Sequence, residues 1–194
     1  MLESIALFCG ASSGNDVKYS ELAANFGAEC ARRGLTLYYG GARVGLMQAA
    51  AQGALNLGGT VIGVTPTFFS KDVVQADNVT WLIHVGSMGE RKQFLEKNAD
   101  CFVALPGAFG TMDELFELLT DAELGLHHKP VAILNAFGFF DHVIAQLNHF
   151  HNEGFLKKCH LDLLVVASSL DELFLKLENY NNTNDSDWLK KIRN

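Results

Sequence analysis

Cys101-Phe102-Val103-Ala104-Leu105-Pro106-Gly107-Ala108-Phe109-Gly110-Thr111-Met112-Asp113-Glu114-Leu115-Phe116-Glu117-Leu118-Leu119 carries three signals in succession. Cys101–Leu105 is apolar throughout, as a strand covered on both faces must be. A proline-glycine turn follows. Beyond it Met112, Leu115, Phe116 and Leu119 recur at helical spacing and form one apolar stripe. Strand, tight turn and amphipathic helix make the repeating unit of an α/β fold.

The unit recurs outward in both directions. Ser4–Cys9, Leu35–Tyr39, Thr60–Thr65, Val79–Val85, Val131–Asn135 and Leu163–Ala167 read as further strands, and Val17, Leu22, Phe26 and Cys30 stripe the first helix. The expected architecture is a doubly wound, Rossmann-like parallel sheet of about seven strands flanked by helices, with right-handed crossovers. Ligands of such folds bind beyond the carboxyl ends of the strands. Residues 1–180 read as a single α/β domain, and 181–194 as a polar tail.

Composition narrows the function classes. The chain has 194 residues, 48% of them hydrophobic and 19% charged, which supports a sizeable core and excludes disorder for most of its length. Fifteen Lys and Arg against 22 Asp and Glu give a net charge of −7, a field that disfavours nucleic acid as a partner. The chain opens Met1-Leu2-Glu3-Ser4 without a basic flank, and no apolar run approaches the ~20 residues of a membrane span. A cytoplasmic protein with no membrane association is expected. Cys9, Cys30, Cys101 and Cys159 lie far apart, so reduced, structural thiols are expected.

Three strand ends run into glycine-rich turns that precede helices: Cys9–Gly14 with Gly10 and Ser12, Tyr39–Gly45 with Gly40 and Gly41, and Leu105–Thr111 with Pro106, Gly107, Ala108, Phe109 and Gly110. Each offers backbone N–H groups and the positive end of a helix dipole to an anion. Glycine also serves any tight strand-to-helix turn, but three such turns in one chain point to a phosphate-bearing ligand. G-x-x-x-x-G-K-[ST] is absent, as is a G-x-G-x-x-G with a distant acidic partner, which leaves a mononucleotide or sugar phosphate.

Two charged features stand against this background. In Ser87–Ala99, read as a helix, Arg91 and Lys92 share a side with Met88, beside an apolar stripe that includes Leu95 and Ala99. They either meet an anion there or snorkel to solvent beside Glu90 and Glu96. Thr111-Met112-Asp113-Glu114 reads as a capping box at a helix start, with Thr111 as the cap and Glu114 reaching back to its amide. The helix would open directly from the Pro106–Gly110 loop, so Glu114 would also lie beside any anion held there, and cap and catalytic group are compatible. His127 and His128 lack partners at metal-ligand spacing, and no nucleophile elbow occurs, so neither zinc nor acyl transfer is expected.

Taken together, these loops resemble the Lonely Guy family of cytokinin-activating phosphoribohydrolases, which is often mislabelled as lysine decarboxylases. Pro106-Gly107-Ala108-Phe109-Gly110-Thr111-Met112-Asp113-Glu114 is similar to that family's P-G-G-x-G-T-x-x-E. Phe8–Ser12 resembles F-C-G-S-S, Tyr39–Ala42 resembles Y-G-G-G, Gly45–Met47 matches G-L-M, Met88–Lys92 resembles M-H-E-R-K, and Leu124–Pro130 resembles L-G-I-H-x-K-P. The resemblance implies hydrolysis of the N-glycosidic bond of a purine nucleoside 5′-monophosphate by a homodimer that uses no metal or other cofactor. It implies Arg91 and Glu114 as the catalytic pair. Lys92, Gly107 through Thr111 and Asp113 would touch substrate, with Thr120 a further match and Gly10, Ser12, Gly40, Gly41, Gly45, Met88 and Pro106 completing the pocket.

The chain departs from the family's pattern at Ala11, Ala42, Gln48, Gly89 and Ala108, and its acidic residue after Pro66 aligns to Val73 or Asp72. These departures bear on substrate choice. A lysine decarboxylase reading fails because nothing marks a Schiff-base lysine. The alternative from another class is a non-catalytic nucleotide or cofactor carrier, as in similar molybdenum-cofactor carrier proteins.

Overall fold

The computed structural model describes residues 2–69 and 78–181. The tail expected over 181–194 lies, but for residue 181, outside them, as do Asp72 and Val73.

Seven strands form one parallel sheet: β1 (Ser4–Phe8), β2 (Thr36–Tyr39), β3 (Val61–Pro66), β4 (Trp81–Val85), β5 (Cys101–Ala104), β6 (Val131–Leu134) and β7 (Leu164–Ala167), in the order β4-β3-β2-β1-β5-β6-β7. Every expected strand is present, and every pairing is parallel. The helices between them are α1 (Val17–Arg32), α2 (Gly45–Leu55), α3 (Met88–Asn98), α4 (Phe109–Glu123), α5 (Asp141–Asn152), α6 (Lys158–Leu161) and α7 (Leu170–Glu178).

The reason β1 is apolar from Ile5 to Phe8 is visible in the two cores. Ile5, Leu7 and Cys9 point to one face, where Phe26 and Cys30 of α1, Ala50 and Ala54 of α2, and Phe174 of α7 pack. Ala6 and Phe8 point to the other, against Leu95 of α3 and Leu115 and Leu118 of α4. The edge strand β4 is the most exposed of the seven, with Trp81 open to solvent. Cys9, Cys30 and Cys101 are buried and Cys159 is exposed.

The strand order decides where a ligand can sit. From β1 the chain winds outward through β2, β3 and β4, then crosses back to place β5 on the other side of β1. The connections that leave β1 and β5 therefore diverge to opposite faces and open a crevice at the carboxyl ends of these two strands.

Candidate active site

The three glycine turns meet in that crevice and are tied to one another through backbone. Gly10 N–H donates to the Pro106 carbonyl at 2.9 Å, joining the β1 and β5 turns, and Leu46 N–H donates to the Gly10 carbonyl at 3.1 Å, joining α2 to both. Two glycines make the approach sterically feasible. Gly45 sits at φ +54°, and a Cβ there would lie 2.4 Å from the carbonyl carbon and oxygen of Ala11. A Cβ on Gly107 would lie 2.0 Å from the Thr111 hydroxyl.

These ties enclose a cavity of about 650 Å³, in the range of a small-molecule site. The N-termini of α2 and α4 both border it, and no side chain caps either helix. The first-turn amides and dipoles of two helices thus face one space, an arrangement suited to phosphate.

The capping box is not formed. Helix α4 begins at Phe109 with Ala108 as its N-cap, so Thr111 is already inside the first turn and Glu114 stands a further turn along. The turn can enter the helix this early because Gly107 has no side chain to collide with Thr111. Glu114 instead reaches across to α3, where Arg91 Nη2 donates to its Oε1 at 2.5 Å. Both side chains are largely withdrawn from water, 12% exposed for Arg91 and 7% for Glu114. Burial raises the Glu114 carboxyl above the usual carboxylate range, and the adjacent Arg91 cation opposes that shift without cancelling it. The Arg91 Nε is buried without a hydrogen-bond partner.

Of the residues singled out from sequence, Gly10, Ser12, Gly40, Met88, Arg91, Pro106, Gly107, Ala108, Gly110, Thr111, Asp113 and Glu114 line the cavity. Five do not. Gly41 and Gly45 shape its walls through positive φ angles from behind. Phe109 points outward and is 94% exposed. Thr120 lies further along α4 with its hydroxyl donating to the Phe116 carbonyl at 2.7 Å. Lys92 turns to α4, pairing with Asp113 at 3.1 Å and with Glu117.

Three aromatic residues enter the wall unannounced: Tyr19 from α1, Phe69 from the segment after β3, and Phe139, whose ring lies edge-on to Tyr19 at 5.7 Å. Tyr19 falls in a helix and Phe139 in a short turn, and neither belongs to a local pattern that marks a pocket. Of the departures from the family's pattern, Ala11, Ala42 and Ala108 line the cavity.

Known proteins resemble this chain in sequence and in fold. The model of a family described as "Possible lysine decarboxylase" matches residues 47–177. A cytokinin riboside 5′-monophosphate phosphoribohydrolase of Arabidopsis thaliana is 39% identical over 176 residues, covering 91% of this chain and 83% of the relative. The chain belongs to the Lonely Guy family. A probable member from Oryza sativa subsp. japonica is 40% identical over 176 residues, 91% of this chain and 78% of its own.

Among solved structures, the molybdenum cofactor binding protein from Rippkaea orientalis superposes with a TM-score of 0.70 at 24% identity, covering 92% of this chain and 96% of that one. The molybdenum cofactor carrier protein of Chlamydomonas reinhardtii gives 0.69 at 23%, covering 92% and 97%. At such identity the likeness is one of fold. The decarboxylase wording attached to the Lonely Guy family finds no support in the cavity. A pyridoxal cofactor is held through a lysine amine, and among the described residues no lysine lines it.

Proposed function

We propose that the chain hydrolyses the N-glycosidic bond of a purine nucleoside 5′-monophosphate, releasing the free base and ribose 5-phosphate. The buried Arg91–Glu114 pair, set at the edge of a cavity faced by two helix N-termini, is the observation that carries this reading. Its 36–40% identity to named phosphoribohydrolases supports it.

In this reading the 5′-phosphate lies against the turns of Gly107–Thr111 and Gly40–Gly45, where backbone amides neutralise it. Arg91 holds the substrate beside Glu114. As the bond from C1′ to the purine nitrogen breaks, the bonding pair leaves with the base, and the Glu114 carboxylate stabilises the positive charge that develops on the ribose. Water then adds to C1′. One of its protons passes to Glu114 and on to solvent, and the departing purine nitrogen takes a proton from solvent, so nucleotide and water become base and ribose 5-phosphate with Glu114 ionised again.

The same reading makes the active species a homodimer. Phe109 and Phe116 expose apolar rings on α4 beside the cavity, and Thr120 shares their side of the helix by spacing. A second copy covering that side would bring Thr120 to the interface. Light scattering then returns about twice 21.2 kDa, whereas a monomer that turns over nucleotide contradicts it. Among the described residues no helix is long and apolar enough to cross a membrane; a cytoplasmic setting is part of the same proposal.

Incubation of the purified protein with AMP and with N6-isopentenyl-AMP tests the activity. Free base is expected from at least one of them. Nucleotide bound tightly but recovered intact from both would replace the hydrolase reading with a carrier.

A further inference from the structure

Helix α3 supplies Arg91, yet Leu95 is the one residue within it that is fully buried. Apolar burial alone gives such a helix little positional certainty. Polar ties hold it instead. At its N-terminus Ser87 accepts from Glu90 N–H at 3.1 Å, while the Glu90 carboxylate accepts from Gly86 N–H at 2.8 Å. Along its side Lys92 bridges to Asp113 and Glu117 of α4. At its C-terminus the Lys129 ammonium donates to the carbonyls of Glu96 at 2.6 Å and Lys97 at 3.4 Å. Carbonyls there have no partner within the helix and form the negative end of its dipole, so a cation grips them well.

Lys129 belongs to the segment that leaves α4, and that segment is itself anchored. The His127 ring is buried, with Nε2 2.9 Å from the Leu118 carbonyl of α4 and Nδ1 3.2 Å from Lys129 N–H. A carbonyl can only accept and an amide N–H can only donate, so the hydrogen resides on Nε2. Phe102 packs edge-on against this ring at 5.5 Å, and its N–H donates to the Pro130 carbonyl at 3.0 Å, which fastens the segment to β5. His127 thus grips α4 and Lys129 grips α3, from a base fixed to the sheet.

Arg91 and Glu114 stand on those same two helices. Glu96 lies about 7.5 Å along α3 from Arg91, and Leu118 about 6 Å along α4 from Glu114, at the rise of an α-helix. We propose that the His127–Lys129 segment is a clamp that sets α3 against α4, with Lys129 a positioning residue for the Arg91–Glu114 pair. Lys129 touches neither member of the pair and does not line the cavity; it acts through the placement of α3. The clamp assists the hydrolysis proposed above and rests on that reading for its kinetic consequence alone.

Lys129→Met and Lys129→Arg separate the possibilities. Turnover is followed as base release. Glu114 is followed by carbon-13 NMR of its side-chain carboxyl, assigned by the signal lost in Glu114→Gln. Charged and titratable groups facing that carboxyl are Arg91 and Lys92 from α3, Asp113 from α4 and the Cys9 thiol at the end of β1. In Lys129→Met, kcat falls about 10- to 100-fold with KM nearly unchanged, the scale of a misplacement near 1 Å at the reacting groups. The Glu114 titration moves upward, because Arg91 no longer sits at the carboxylate. Lys129→Arg restores both.

A Lys129→Met protein with wild-type kcat and an unmoved or lowered Glu114 titration overturns the clamp, whatever its melting temperature. If the wild-type protein releases no base, the proposed function falls while the Glu114 titration still decides the clamp. Should Lys129→Met not fold, Lys129→Gln, which retains an amide donor without the charge, is judged by the same criteria.

Discussion

Glutamine at position 114 removes one charge and almost nothing else. Its side-chain oxygen still accepts from Arg91 Nη2, and its volume matches the space Glu114 fills between α3 and α4. The upward-shifted carboxyl shows that this site favours the neutral side chain more than water does, even with a guanidinium beside it. Replacing a buried ion by a neutral group of like shape is often close to neutral, so Glu114→Gln should stay within about 1 kcal/mol of wild-type stability. Its turnover should fall by about 100- to 10,000-fold, the scale of lost acid–base assistance.

Glu114→Ala behaves differently, since it strands the Arg91 cation. Removing one partner of a buried pair costs about 3–5 kcal/mol, and access of solvent through the cavity places this case near the lower end. Neither change touches the N-cap of α4, which is Ala108. Paired melting curves and base-release rates for both variants provide the test. A Glu114→Gln enzyme with wild-type turnover removes Glu114 from the chemistry, and one that fails to fold refutes the charge argument. In the wild type, activity that needs the ionised carboxylate should rise with pH through a value above that of an ordinary glutamate.

Other perturbations address the frame of the site. Gly45→Ala places a Cβ against the Ala11 carbonyl at a left-handed φ, so a loss of at least about 1–3 kcal/mol is expected by chemical denaturation, and wild-type stability would refute the crowding. Burial holds the His127 imidazole below its ordinary pKa, so the unfolded chain binds the proton more readily. The resulting stability is present above about pH 6.5 and is lost as pH falls below it. Denaturation at pH 5.5 and 7.5 should therefore show a steeper decline for wild type than for His127→Gln, and equal declines would contradict this. In crystals soaked with AMP, phosphate density is expected against Gly107–Thr111 and the Gly40–Gly45 turn; density elsewhere with both turns empty would remove the proposed binding mode.

By itself the sequence determined the layers and their order. Apolar runs such as Ile5–Phe8, with no polar face, can be satisfied only by helices on both sides, and many such runs among seven strand segments alternating with helical stripes point to a parallel, doubly wound sheet. The phosphate-suited turns were legible for a similarly local reason, because glycine at a strand-to-helix junction declares close backbone approach. The partners of charged side chains were not. Arg91 and Glu114 are 23 positions apart, on helices whose relative placement depends on the crossing of the chain at β1 and β5.

The start of α4 likewise depends on contacts distant in the chain. The spacing of Thr111 and Glu114 fits a capping box, and only the crowding of Thr111 against Gly107 and the pull of Arg91 from another helix place the start at Phe109. Lys92 shares a helical side with Met88 in the sequence, yet two carboxylates on α4 draw it away from the cavity. Tyr19, Phe69 and Phe139 come from segments distant in the chain and become one wall through packing alone. Periodicity specifies which face of an element is buried; which charges and rings meet across that buried face is decided by the three-dimensional arrangement of the elements.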